Sequence, residues 1–112
     1  MLFRSESFGA LAEMQKAGKI RHLGLSNVSV AQLNEARRIA PVVSVQNSYS
    51  IDNRSAEDVL RACERLGLAF LPWYPLGAGS ALKSAKVKKV AARVQATPMP
   101  SAACASSTNQ AR

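Results

Sequence analysis

The sequence predicts an α/β fold in which a parallel sheet is built from repeated strand–helix units. Three apolar segments begin near residues 20, 42 and 68, and a segment with helical spacing separates each neighbouring pair. Strands joined by a helical crossover lie parallel to one another. The segments are short and largely aliphatic, as expected for strands covered on both faces. A doubly wound sheet and a segment of a (β/α)8 barrel both fit this pattern.

The first predicted helix spans residues 6–17. Its apolar side chains recur at helical spacing, and Gly18 follows as a terminator. Ser5 or Ser7 is available to cap its first turn. The first predicted strand, residues 20–25, comes soon afterwards.

The second helix and the second strand follow in the same order. Ser29 is placed to cap a helix over residues 30–39, and Pro41 comes just after the end of that helix. Residues 42–45 are mostly β-branched, which predicts the second strand.

The third helix is predicted over residues 55–66. Ser55 and Asp58 resemble a capping box in which Asp replaces Glu, and Gly67 is the expected terminator. The apolar residues that come next, 68–71, predict the third strand.

After the third predicted strand, the sequence predicts a loop, then a helix, and then an aperiodic tail. Pro72 is expected to end the third strand, and the glycines and prolines of residues 73–80 predict a loop. Residues 83–95 keep helical spacing, whereas residues 97–112 have no periodicity and too few large apolar side chains to order themselves. We therefore expect a folded domain over residues 1–96 and a disordered or degenerate tail over 97–112.

The length decides how much of a barrel these residues can form. A closed (β/α)8 barrel needs roughly 250 residues, and this sequence has 112. Three parallel strands cannot close, so they would leave two open sheet edges. No G-x-G-x-x-G follows any predicted strand, which disfavours a dinucleotide-binding doubly wound sheet. The barrel interpretation therefore predicts a partial barrel.

The composition excludes several classes of protein. The sequence is 47% hydrophobic, yet no segment reaches the roughly 18 apolar residues of a spanning helix. The amino-terminal residues have no signal-peptide pattern. Cys63 and Cys104 lie far apart without metal-ligand spacing, which favours a reducing cytoplasm over a disulfide framework. Cys63, within a predicted helix, is expected to be a small buried side chain.

The net charge of +8 belongs to the end of the chain. Residues 83–112 contain six basic residues and no acidic ones, and the remaining 82 residues contribute only +2. The lysines at 83, 86, 88 and 89 fall on one side of the predicted last helix, which is typical of a solvated helix face. No aromatic residues alternate with them, so nucleic-acid binding is the weakest interpretation. His22, at the start of the first strand, is expected to have a structural role or to lie on the surface.

Polar and aromatic side chains stand where the predicted strands end. Ser26 and Asn27 follow the first strand, Gln46 and Asn47 the second, and Trp73 and Tyr74 the third. In parallel α/β folds the reactive groups gather at these carboxyl ends. Amide and hydroxyl groups can hold a flat polar ligand, and an aromatic ring can stack on one.

Three ordered motifs at these positions resemble the aldo-keto reductases. The run G-K-I-R-H-L-G-L-S-N at residues 18–27 looks like that family's G-K-I-R-x-x-G-x-S-N segment. Residues 45–49 resemble the family's next strand, and residues 71–77 resemble its Y-S-P-L-G segment. The resemblance holds over residues 7–80, continues through 88–98, and implies barrel strands five, six and seven.

The resemblance implies a nicotinamide-dependent reductase of carbonyl compounds. Ser26, Asn27 and Gln46 correspond to residues that hydrogen-bond the nicotinamide carboxamide. Trp73 stands where the family usually has a tyrosine that stacks on the nicotinamide ring. The loop beside the pyrophosphate corresponds to residues 74–77, with Tyr74, Leu76 and Gly77 as its cofactor-binding members. The implied cofactor is NADP(H), with NAD(H) as the alternative, and no metal is implied.

The resemblance also implies what these 112 residues lack. The family's catalytic Asp, Tyr, Lys and His belong to the first half of its barrel, and no residue here matches them. We therefore expect a partial reductase barrel that keeps cofactor contacts but does not turn over alone, because hydride delivery to a carbonyl needs a proton donor. The alternative is a non-catalytic half-barrel that assembles with itself or with a partner chain through its open sheet edges.

Overall fold

The computed structural model of the protein describes residues 4–97, in which three parallel strands alternate with helices. A short 3-10 turn, Gly77–Gly79, follows the last strand. The helices and strands of the described residues are α1 (Ser5–Lys16), β1 (Leu23–Ser26), α2 (Val30–Ile39), β2 (Val42–Ser48), α3 (Glu57–Leu66), β3 (Ala69–Trp73), α4 (Ser80–Lys83) and α5 (Ala85–Arg93). The predicted α/β class and strand–helix repeat are confirmed.

The strands form one sheet in the order β1-β2-β3. β1 and β2 pair in parallel, with Leu25 opposite Val45 and Ser26 opposite Gln46. Consecutive strands are thus neighbours, as in the wall of a strand–helix barrel. Because parallel strands end at the same edge, the carboxyl ends of β1 and β2 lie side by side.

The described residues group into two compact units. The first contains residues 4–47 and 56–71, and the second contains 48–55 and 72–97. In the first unit α1 packs against α2 and β1, and α2 packs against α3. Its core side chains are fully or almost fully buried, among them Phe8, Leu33, Val45, Cys63 and Phe70.

The second unit has a small core of its own. Val87 of α5 is buried, and Ile51, Leu76 and Leu82 pack against it. Ala91, one turn along α5 from Val87, is also buried. The unit therefore ties the segment after β3 to the last helix through aliphatic contacts.

The helices cover only one face of the sheet in the first unit. Leu23 and Leu25 of β1 are buried, whereas Gly24 and Ser26 between and beyond them are exposed. Leu71 of β3 is 45% exposed. The expectation that both faces of the strands are covered is therefore wrong for these residues, whose side of the sheet is exposed.

A β-bulge lies near the start of the β1–β2 pairing. Leu23 pairs with Val42 and Gly24 with Ser44, so Val43 has no opposite residue and is 40% exposed. A Cβ at Gly24 would approach the Ser44 hydroxyl oxygen to 2.5 Å. A larger residue at this position would therefore require the Ser44 side chain to move.

The second helix begins as predicted, whereas the first does not. The Ser29 hydroxyl accepts a hydrogen bond from the Gln32 amide at 3.3 Å, and the Gln32 side chain accepts one from the Ser29 amide at 2.9 Å. This reciprocal pair is a capping box. α1 already includes Ser5, and Arg4 stands at its cap without a side-chain cap bond. The two serines predicted to cap α1 therefore lie inside it.

The predicted capping box of α3 is wrong. α3 begins at Glu57, after Ala56, with no side-chain cap bond. The Ser55 amide instead donates to the Asn53 side chain at 3.0 Å, which holds Ser55 in the preceding turn. The Asp58 carboxylate accepts from the amide of the next residue at 2.8 Å.

The predicted helix terminators are confirmed. Gly18 has a φ of +74°, and Gly67, which caps the end of α3, has a φ of +66°. Side chains other than glycine are unfavourable in this left-handed region.

Pro72 does not end the third strand. β3 runs to Trp73, whose carbonyl accepts a hydrogen bond from the Tyr49 amide at 3.2 Å. Proline removes only its own N–H from a ladder, so a strand at the edge of a sheet tolerates it. β1 is also shorter and β2 longer than predicted, and the predicted loop over 73–80 includes the 3-10 turn.

The last helix has a narrow apolar stripe. α5 buries Val87 and Ala91, whereas Val90 and Val94 are 42% and 55% exposed. The four lysines of this region are exposed, as expected of a solvated helix face. The predicted tail over 97–112 lies outside the described residues except for Thr97, and Cys104 lies there as well.

Candidate functional site

The first unit brings three of the predicted site residues together. Ser26 and Gln46 are exposed register partners at the carboxyl ends of β1 and β2. The amide of Asn27 donates a hydrogen bond to the carbonyl of Gln46 at 3.0 Å. One hydroxyl and two primary amides therefore stand at neighbouring strand ends, where they can offer both donors and acceptors to a planar amide.

Asn27 has an unusual backbone conformation. Its φ is +56°, in the left-handed region that asparagine tolerates better than most residues. The chain turns here from β1 toward the start of α2, so the exposed Asn27 side chain is presented at the turn. Such a local conformation persists only where neighbouring contacts hold it.

Asn47 holds the peptide that follows Asn27; the sequence places Asn47 beside Gln46 at the end of the second strand, but it was not among the predicted cofactor contacts. Its side-chain oxygen accepts from the Val28 amide at 3.1 Å, and its side-chain nitrogen donates to the Val28 carbonyl at 2.7 Å. Asn47 is only 7% exposed. The sequence shows an amide at this position of the strand, and the structure shows that it is buried. A buried amide requires hydrogen-bond partners.

The second unit holds the aromatic members of the predicted site. Trp73 is half-buried, and the ring of Tyr74 meets it edge-on, with 5.3 Å between ring centroids and 87° between planes. Tyr74 is 57% exposed and has a φ of +60°. The edge-on contact restricts the indole orientation while leaving part of its surface accessible.

The loop after Tyr74 is a tight backbone turn. The Gly77 amide donates to the Tyr74 carbonyl at 2.8 Å, and the Gly79 amide donates to the Leu76 carbonyl at 2.9 Å. Gly77 has a φ of +54°, and a Cβ there would collide with the Ser80 hydroxyl. Leu76 is half-buried against Val87, so its side chain anchors this loop.

A Ser50 turn and an Arg54–Tyr49 contact order the segment after β2, within the second unit. The Ser50 hydroxyl accepts from the amides of Asp52 and Asn53 at 3.2 and 3.0 Å. Arg54 donates to the Tyr49 hydroxyl and lies over the Tyr49 ring, 4.8 Å from its centroid. Tyr49 and Ser50 are almost completely buried. These contacts are structural, and nothing in the sequence pattern had indicated them.

The titratable groups of the described residues form no obvious acid–base centre. Burial raises the pKa of the Cys63 thiol, which keeps it protonated and unreactive in the first unit. His22 is exposed before the start of β1, away from the strand ends. Within residues 4–97 no group of three or more His, Cys, Asp or Glu side chains could hold a metal ion. The same residues contain no helix long and apolar enough to cross a membrane.

Comparison with known proteins gives one consistent family. The profile of the Aldo/keto reductase family matches residues 4–108. An uncharacterized oxidoreductase of Schizosaccharomyces pombe is 50% identical over 80 residues, which are 71% of this chain and 26% of that protein. The pyridoxine 4-dehydrogenase of Escherichia coli is 45% identical over 93 residues, 83% of this chain and 32% of that enzyme.

A solved structure shows the same fold. Gox0644, crystallised as a mutant in complex with NADPH, superposes with a TM-score of 0.76 at 24% identity. The match covers 88% of this chain and 36% of Gox0644. The chain thus spans between a quarter and two fifths of these three proteins, and it corresponds to part of a closed barrel.

Proposed function

Because this chain belongs to the aldo/keto reductase family, we propose that it forms the nicotinamide-holding part of an NADP(H)-dependent carbonyl reductase. The observation that carries the proposal is the arrangement of Ser26, Asn27 and Gln46 at adjoining strand ends. A hydroxyl and two amides at this spacing suit a carboxamide, which needs both donors and acceptors. Gox0644 binds NADPH in its crystal structure, which supports the choice of phosphorylated cofactor.

Each predicted site residue has a distinct task in this proposal. Ser26, Asn27 and Gln46 hydrogen-bond the carboxamide and so fix which face of the nicotinamide ring is presented. Trp73 stacks on that ring, held by its edge-on contact with Tyr74. Leu76 and Gly77, with the backbone of Tyr74, form the loop beside the pyrophosphate. When bound, the cofactor supplies the hydride for reduction of an aldehyde or ketone.

The proposal separates cofactor contact from turnover. A carbonyl oxygen that receives a hydride on its carbon also needs a proton, and the resemblance places the donor among residues that this sequence does not match. We therefore propose that the 112 residues alone do not reduce aldehydes. Mixing the pure chain with NADPH and 4-nitrobenzaldehyde should leave the NADPH absorbance constant, and sustained oxidation of NADPH would contradict this.

The sole tryptophan provides the test of cofactor contact. If Trp73 lies in a folded site beside the nicotinamide, its emission is blue-shifted and decreases saturably as NADPH is added. Gln46→Ala should weaken this binding about tenfold, the value of one or two hydrogen bonds. Asn34→Ala, an exposed substitution on α2, is the control and should bind as the unsubstituted chain does. Red-shifted emission that NADPH does not change would overturn the proposal.

One observation favours a second candidate function, which is assembly with another chain. The sheet face that no helix of the first unit covers exposes the apolar side chain of Leu71. Covering this face would bury Leu71 against a second copy or against a chain that supplies other barrel strands. We also propose a cytoplasmic location, in keeping with the free thiol of Cys63.

A further inference from the structure

Asn47 joins the two strand ends that hold the proposed carboxamide contacts. Its side chain bonds both backbone polar groups of Val28, at 3.1 and 2.7 Å, and it follows Gln46 directly in β2. Val28 in turn follows Asn27 directly. We infer that Asn47 is a positioning residue, which sets the Asn27 side chain relative to Gln46; this inference rests on the proposed function.

The connection leaves little freedom between the two segments. Besides the two bonds from Asn47, the amide of Asn27 donates to the carbonyl of Gln46 at 3.0 Å. Three hydrogen bonds therefore join residues 27–28 to residues 46–47. We call the two bonds between the Asn47 side chain and the Val28 backbone the clamp. The Val28 side chain is 4% exposed, so the clamp lies in a dry environment where water cannot replace its bonds.

The clamp also explains how the Asn27 turn is held. The left-handed conformation of Asn27 is unfavourable by itself, and the next residue but one, Ser29, begins the capping box of α2. Because Val28 lies between Asn27 and Ser29, fixing its backbone determines the direction that the chain takes at Asn27 as it leaves β1. Loss of the clamp would therefore move an exposed side chain of the site while the aliphatic core keeps its packing.

The chemistry of the clamp requires one acceptor and one donor on the same short side chain. An ionised aspartate keeps the acceptor for the Val28 amide but directs a carboxylate oxygen at the Val28 carbonyl. A protonated aspartate restores the donor, and burial favours this neutral form as the pH falls. Asn47→Asp therefore provides a variant in which the clamp is broken at neutral pH and restored in acid.

The experiment compares two ligands that differ only at the carboxamide. Dissociation constants for NADP+ and for its 3-acetylpyridine analogue, which has a methyl group in place of the amide nitrogen, are measured by calorimetry at pH 7.5 and 4.5. The proteins are the full chain, Asn47→Asp, and Asn34→Asp as a matched amide-to-acid control on the exposed side of α2.

We expect the unsubstituted chain and Asn34→Asp to prefer NADP+ about tenfold at both pH values. Asn47→Asp should lose that preference at pH 7.5 and regain it at pH 4.5. If Asn47→Asp instead weakens both ligands by the same factor, its role is only structural and the inference is overturned. An unsubstituted chain that binds neither ligand, or both equally, overturns the proposed function and with it this inference.

A second variant keeps the test decisive if Asn47→Asp is unfolded at pH 7.5 by circular dichroism. Asn47→Gln keeps a neutral amide at both pH values but displaces it by one methylene group. It should show a smaller preference for NADP+ than the unsubstituted chain, with no recovery at pH 4.5. A preference equal to that of the unsubstituted chain would overturn the inference.

Discussion

Burial of a single thiol links this protein's stability to alkaline pH. Cys63 is completely buried among the helices of the first unit, and burial raises the pKa of its thiol. In the unfolded chain the thiol ionises near its ordinary pKa of 9.0, while the folded state still keeps the proton. The unfolded state then binds fewer protons, so the free energy of unfolding falls as the pH rises above about 9.

Cys63→Ala tests this link. The substitution should lower the free energy of unfolding at pH 8 by roughly 1 kcal/mol, because a small cavity replaces the sulfur. It should also make the decline between pH 8 and 10 shallower than in the unsubstituted chain. Urea denaturation at several pH values measures both effects, and parallel pH curves for the two proteins would show that the thiol contributes nothing.

At the scale of single residues, the sequence predicted which side chains lie at the strand ends better than it predicted the contacts that these side chains make. Ser26, Asn27 and Gln46 were recognisable because they follow apolar strands in an ordered set of motifs, and β1–β2 pairing brings them together. Asn47 was recognisable as a polar residue at the end of the second strand, but its bonds to Val28 were not, because the bulge at Val43 decides which β2 side chains face the helices. The left-handed conformation of Tyr74 likewise depends on its surroundings and not on residue type.

At the scale of elements, the helix ends separate two serines that look alike in sequence. Ser29 closes a capping box on α2, whereas Ser55 lies in a turn held by Asn53 and caps nothing. Both serines precede an apolar-periodic segment, and both have a polar residue three positions later. The difference arises from the preceding chain, since Asn53 can order the residues after it into a turn. Local sequence therefore predicted the helices but not the start of α3.

The two serines form a matched pair of substitutions. Ser29→Ala should lower the free energy of unfolding by about 1 kcal/mol, because the Gln32 amide loses its acceptor. Ser55→Ala should change it by less than about 0.5 kcal/mol, as for other exposed surface positions. Thermal or urea unfolding of both variants measures the difference, and equal losses would contradict the capping assignment.

At the scale of the whole molecule, the repeat of strands and helices was predictable because short, largely aliphatic segments alternate with segments of helical spacing. Whether other elements cover both faces of the sheet was not predictable, since that depends on which helices and strands the chain contains. Leu71 has the aliphatic character of a strand covered on both sides, yet it is 45% exposed. In a closed barrel, inward-pointing residues of the other strands fill the space beside such a residue.

The exposed sheet face gives a prediction about assembly. If apolar side chains on that face drive association, Leu71→Lys should shift the chain toward monomer by at least tenfold in dissociation constant. Leu11→Lys is the control, since Leu11 is 39% exposed on α1 and away from the sheet. Sedimentation velocity over a range of concentrations measures the shift. An unsubstituted chain that stays monomeric, or equal shifts for both variants, would exclude this mode of association.

Pro72 in β3 makes the two edges of the sheet differ in hydrogen-bonding capacity. Backbone groups of successive strand residues point to opposite sides, and the Trp73 carbonyl faces β2 through its bond from Tyr49, so Pro72 faces the outer edge of the sheet. That edge therefore lacks one N–H, and an incoming strand would form an incomplete ladder there. β1 carries no proline. The β1 edge is therefore the edge of this sheet at which an added strand can form a ladder without a missing N–H.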